Sequence, residues 1–174
     1  MIQSSPASRI QDNLQQLFKA KLKPGNAYIK FKLTSEVSAL LSMTRVEESK
    51  IVAAKTISPL PNMPPSVIGM MNSRDRVFCV FDLARLLSLS AQPINTRQYQ
   101  IIVLKTVSEP SILIGLATKE LQGIIRLPAE QIQTSDHFNS NLAPFMTGVM
   151  QQEKTIVPIL DLERIIEALQ TPQK

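Results

Sequence analysis

Twenty-four residues of this chain, "PPSVIGMMNSRDRVFCVFDLARLL" from Pro64 to Leu87, return in altered form as "APFMTGVMQQEKTIVPILDLERII" from Ala143 to Ile166. Placing Gly69 on Gly148, a separation of 148 − 69 = 79, sets Pro65 on Pro144, Met71 on Met150, Asp82 on Asp161, Leu83 on Leu162 and Arg85 on Arg164 without a gap. Average composition gives about one or two such identities by chance in a window of this size. Most remaining pairs exchange one apolar residue for another, as in Val77/Ile156, Val80/Ile159, Phe81/Leu160 and Leu86/Ile165. Two copies of one structural unit is the economical reading.

The residues between and around the copies say what the unit is made of. From Tyr28 the apolar period is two: Ile29, Phe31 and Leu33 alternate with Lys30 and Lys32, as in a strand with one face inward. Short strand-like runs follow at Leu40–Met43, Ile51–Ile57, Val67–Met71, Val77–Phe81, Ile101–Val107, Ile112–Ala117, Gly123–Leu127, Phe145–Met150 and Thr155–Leu160. This is an all-β pattern with few helices. Ser58–Pro65 and Ser88–Gln98 are rich in Pro and polar residues and read as loops, the second being the natural joint between the two halves. Each copy ends in Asp-Leu-x-Arg and further apolar residues, so Asp82 and Asp161 are expected to cap short helices, the last over Leu162–Leu169. Capping explains both aspartates from local context, and neither has a nearby His or second acid suited to paired acid–base catalysis.

Before the β pattern begins, Ile10, Leu14, Leu17, Phe18 and Leu22 form the apolar stripe of an amphipathic helix, opened by Ser8 with Gln11 and ended by Pro24-Gly25. Residues 1–25 thus read as a helical extension and 26–170 as the β domain. The stripe docks either on the protein's own body or on a partner.

Groups for covalent or metal chemistry are scarce. One Cys and one His, far apart, exclude a Cys-based zinc cluster and a disulfide framework. Cys79 sits within "VFCVF", a place for a small apolar side chain, and His137 lies in the polar stretch "SDHFNSN" with no nucleophile motif around it. Only five Gly occur, none in a phosphate-binding pattern, so no cofactor or metal is expected and an enzyme is disfavoured. A net charge of +5 raises nucleic acid as a partner, but the basic residues are dispersed and aromatics are 5%. The N-terminus lacks the apolar stretch of a signal peptide and no window reaches a membrane span, which places the protein in the cytoplasm without membrane insertion.

Residues that differ between the copies are free to serve something other than the fold. "NSRDR" (Asn72–Arg76) stands where the second copy has "QQEKT" (Gln151–Thr155), in a turn between two strands. Asn72 and Asp75 suit turn conformations, whereas no turn requires Arg74, whose planar donor fork suits a partner carboxylate.

"SVIGMMNSRDRVFCVFDLARLL" resembles the signature of the CheW family, which reads roughly G-x-x-N-L-R-G, an apolar strand, Pro-Val-x-Asp-Leu and a short helix. "YIKFKL", "ALLSMTRVEES" with Val46 and Glu48, and "ILIGLATKELQGIIRLP" are similar to other segments of the family, so the resemblance spans about Ala27 to Leu169. It implies two SH3-like five-stranded β-barrels with short helices, in a non-enzymatic adaptor that joins a methyl-accepting chemoreceptor to the regulatory domain of a CheA-like histidine kinase. Partner contacts would fall on Glu48 and Arg74, flanked by Asn72 and Asp75. Ser73 replaces the family's Leu and Asp75 its second Gly, and Asp75 sets a carboxylate beside Arg74. With the N-terminal extension, these departures place the chain nearest the PilI and PixI types of pilus and phototaxis pathways. The other reading is a scaffold of a different complex, docked through its N-terminal helix.

Overall fold

Eleven strands, most of them carrying alternating or continuous apolar residues, close into two rings. The structure, a computed structural model, describes residues 24–89, 97–134 and 141–170. The expected N-terminal helix and His137 lie outside the described residues. In chain order the strands are β1 (Asn26–Lys32), β2 (Ser38–Ser42), β3 (Val46–Ala53), β4 (Val67–Ser73), β5 (Arg76–Asp82), β6 (Gln98–Lys105), β7 (Leu113–Thr118), β8 (Glu120–Leu127), β9 (Ile132–Gln133), β10 (Met146–Gln152) and β11 (Thr155–Leu160). Helix α1 (Leu83–Leu86) follows β5 and α2 (Leu162–Gln170) follows β11.

One sheet has the order β3-β6-β7-β5-β4 and the other β8-β1-β2-β11-β10-β9. The first has five strands and the second six, its sixth, β9, being only two residues long, and both barrels are closed in the same way. In the first, a 3-10 turn at Ala54–Thr56 bends the chain after β3, and Ser58 then exchanges two 2.8 Å backbone hydrogen bonds with Met70 of β4. In the second, a 3-10 turn at Ala129–Gln131 follows β8 and leads into β9, which pairs with β10. The closures explain the repeated glycines. A Cβ on Gly69 would lie 2.3 Å from the Ser58 carbonyl oxygen, and one on Gly148 would lie 2.9 Å from that of Gln133. Beside each glycine the hairpin register shifts, between Val67 and Gly69 and between Met146 and Gly148, as at a β-bulge that bends the strand around the barrel.

The expected two-barrel, all-β architecture is present, but the linker Ser88–Gln98 does not separate the barrels. It joins α1 to β6, and β5 and β6 belong to the same sheet. The chain instead changes sheets at Met43–Arg45, between β2 and β3, and at Lys119, between β7 and β8. The linker divides the sequence halves, and each barrel combines two strands of one half with the rest from the other: β6 and β7 complete β3–β5, while β1 and β2 complete β8–β11. The repeated hairpin and helix are local and leave their mark in contiguous residues, whereas the partners that complete each barrel are chosen by long-range pairing.

Three apolar clusters follow from this exchange. Ile57, Met71, Phe78, Val80, Ile101, Val103 and Ala117 fill the first barrel. Tyr28, Leu40, Leu127, Met150, Val157 and Ile159 fill the second. The largest lies between the barrels and includes Phe31, Leu41, Leu83, Leu86, Ile102, Leu104, Leu116 and Ile165. Strand β6 is consequently apolar on both faces, with Ile101 and Val103 turned into its barrel and Ile102 and Leu104 into the seam. Asp82 Oδ1 accepts from the Arg85 N–H at 3.2 Å, and Asp161 Oδ1 from Glu163 and Arg164 at 3.0 and 3.3 Å, so both aspartates cap their helices.

Candidate functional site: a charged turn at one barrel mouth

Two-residue hairpin loops that follow the natural twist of strands need positive φ at both central residues. Between β4 and β5 those residues are Arg74 (φ 50°) and Asp75 (φ 62°), and Ser73 pairs with Arg76 across the base of the turn. Asp tolerates this left-handed region better than most residues, which is how the hairpin dispenses with the glycine found there in the family signature. The geometry lifts the Arg74 side chain clear of the sheet, and it is 87% exposed.

Ser73 turns the other way, into the barrel mouth. Strand β3 lies at the opposite edge of the same sheet and presents Glu48 and Lys50 on one face by the two-residue period. Lys50 Nζ donates to Ser73 Oγ at 2.6 Å, and Ser73 Oγ donates to Glu48 Oε1 at 3.1 Å. Lys50 Nζ also lies 3.2 Å from Glu48 Oε1, and Arg74 Nη2 lies 4.0 Å from Glu48 Oε2. Partial burial works to raise the pKa of Glu48. The hydrogen bonds from Lys50 and Ser73, followed by the charges of Lys50 and Arg74, outweigh it and hold the carboxyl below its ordinary range. Glu48 is thus a fixed anion, with the exposed Arg74 guanidinium at 4.0 Å through Nη2.

Of the four residues singled out in the sequence, Glu48 and Arg74 meet although 26 positions apart. Asn72, exposed on β4, is in register with Val77, and Asp75 completes the turn. The carboxylate that the Arg74 guanidinium approaches belongs to Glu48, on another strand. Lys50 was missed, although opposite charges two residues apart on one strand face were a usable signal. Ser73 stood out in the sequence only as a departure, and in the structure it is the hydroxyl that joins the two strands.

Elsewhere the chemistry is muted. Burial pushes the Cys79 thiol up, against a smaller opposing effect of the Val80 backbone hydrogen bond, so it stays protonated and a poor nucleophile. Among the described residues there is no group of three or more His, Cys, Asp or Glu placed to hold a metal ion. Also among them, no helix is long and apolar enough to cross a membrane.

The described residues thus form two interlocked β-barrels with a solvent-exposed arginine at the mouth of one of them. Residues 27–170 match the CheW-like domain, and the chain belongs to that family. It is 25% identical over 122 residues to the chemotaxis protein CheW of Thermotoga maritima, an alignment covering 68% of this chain and 75% of the relative. The crystal structure of the scaffolding protein TtCheW from Thermoanaerobacter tengcongensis superposes with a TM-score of 0.69 at 17% identity, covering 83% of this chain and 94% of that one, a likeness of fold.

Proposed function

We propose that this protein is a non-enzymatic cytoplasmic adaptor that couples a methyl-accepting chemoreceptor-type protein to the regulatory domain of a CheA-like histidine kinase. Its partner contacts are Glu48, Asn72, Arg74 and Asp75. The observation that carries this reading is the meeting of Glu48 and Arg74 at 4.0 Å, with the guanidinium 87% exposed above it. An 87% exposed guanidinium that nears Glu48 only through Nη2 keeps most of its donor edge open and is arranged to take a carboxylate from outside. Membership of the CheW-like family supports the kind of partner, and the Ser73 and Asp75 departures support a specialised pathway of the pilus or phototaxis type.

The test is copurification of wild-type and Arg74→Glu protein with a CheA-like kinase and with a receptor fragment. A centrally placed arginine facing a carboxylate is worth on the order of 2 kcal/mol, so retention of one partner should fall steeply in the variant. Equal retention of both partners by both proteins removes the turn from the interface. The pathway is assigned by deleting the gene and scoring pilus-driven and light-directed movement, where loss of neither counts against the subtype.

A further inference from the structure

On the outside of the first barrel, next to α2, the molecule carries an apolar groove of about 540 Å³. Met70, Val77 and Cys79 of the β4–β5 hairpin form part of its lining, with Ile112 beside β7 and Ile166 and Leu169 of α2. Val77 and Ile112 are 65% and 56% exposed, unusual for β-branched residues grouped in one depression. The only charged residues among those lining it are Glu163 and Glu167, both acidic.

The sequence holds an occupant of matching chemistry. Residues 8–22 place Ile10, Leu14, Leu17, Phe18 and Leu22 at helical spacing, with Arg9, Lys19 and Lys21 against a single Asp12. The apolar stripe matches the groove, and the basic excess suits a lining whose charged residues are acidic, although Glu163 is already shared with Arg45. The segment ends one residue short of the described body. It leads into β1, whose Tyr28 lines a small pocket together with Asp161, Leu162 and Glu163 at the start of α2. Fifteen residues wound as a helix reach about 22 Å, more than the roughly 13 Å of nine-residue α2.

We propose that the groove between the β5 face and α2 is the docking site of the chain's own N-terminal segment, residues 8–22. The inference stands apart from the adaptor reading, since it concerns a contact within one molecule. Its consequence is competition: any partner that enters the groove must displace the segment, and its apparent affinity falls by the fraction of molecules in which the groove is open.

Cys79 is the chain's single cysteine and lies in the groove, so it reports occupancy. In the full-length protein, alkylation of Cys79 by N-ethylmaleimide is compared between wild type and the double variant Leu14→Glu, Phe18→Glu. With the segment docked in about nine-tenths of molecules, the variant should react about tenfold faster. Equal rates, with unchanged thermal unfolding of the β body, overturn the proposal. A second measurement uses Leu14→Cys under mild oxidation by copper phenanthroline, with Gln16→Cys on the polar side of the stripe as control. A disulfide to Cys79 within the monomer, formed faster than in the control, supports docking in cis. Crosslinking no faster than the control sinks the idea. Crosslinks confined to dimers and rising with protein concentration overturn it in favour of a second copy's segment.

Discussion

Glu48 is held as an anion at the barrel mouth by a small polar network. Its partners Lys50 and Ser73 hold it ionised at the barrel mouth, and Arg74 leans over it from outside. Because its pKa is lowered in the folded state, its stabilising contribution is fully present above the unfolded value of about 4.3 and is lost as pH falls through the lower folded value. Urea unfolding of wild type and Glu48→Gln should therefore differ most near neutrality and converge in acid, and a constant difference would contradict the assigned network. At the neighbouring turn, Asp75 holds φ 62°, a region that glycine occupies without steric cost. Asp75→Gly should leave the fold intact and raise unfolding stability by up to about 1 kcal/mol. A loss of stability would mean that the Asp75 carboxylate makes a contact worth more than the strain it replaces.

At the scale of elements, the repeated unit is a bulged hairpin, a capping aspartate and a helix. The backbone N–H groups of Asp82 and Asp161 donate to the Ser66 and Phe145 carbonyls, each at 2.7 Å, at equivalent places in the two copies. Gly69→Ala would drive a Cβ to 2.3 Å from the Ser58 carbonyl, at φ 157°, and so force open the bridge that closes the first barrel. A loss of at least about 2 kcal/mol is expected in chemical denaturation. Gly148→Ala meets its neighbours at 2.9 Å and should cost less. Asp161→Ala removes a cap from α2 and should cost about 1 kcal/mol. Most of these elements were readable from sequence because their signals are local: period-two alternation for the strands, Asp followed by helical spacing for the caps. The loop Ser58–Pro65 was read correctly as irregular, yet the bridge made by its first residue was not visible, since a two-bond contact with Met70 leaves no periodicity.

For the whole molecule, the exchange of strands between halves matters most. Neither half contains a complete barrel, and the seam cluster draws Phe31, Leu41 and Leu83 from the first half and Ile102, Leu104 and Ile165 from the second. Folding should therefore be a single cooperative transition. The two pieces cut at the linker, residues 1–90 and 91–174, should each fail to unfold cooperatively when expressed alone, by circular dichroism and thermal melts. Two separable transitions in the intact chain would contradict the interlocked arrangement. Leu104→Ala, in the seam, should cost about 2–5 kcal/mol and still leave one transition.

By itself the sequence determined what is encoded in contiguous residues: the strand alternation, the two helix caps, the glycines of the repeat and the turn that interrupts it at Arg74. It also carried the family resemblance that singled out Glu48 and Arg74, without showing that their charged groups lie 4.0 Å apart. The tertiary structure alone decided which strands share a barrel, that Lys50 and Ser73 bind Glu48 beneath the turn, and that Cys79 faces an apolar groove beside α2. The physical reason is that alternation fixes which face of a strand is apolar and leaves open which neighbour covers it. That choice is made by pairing and packing between residues far apart along the chain.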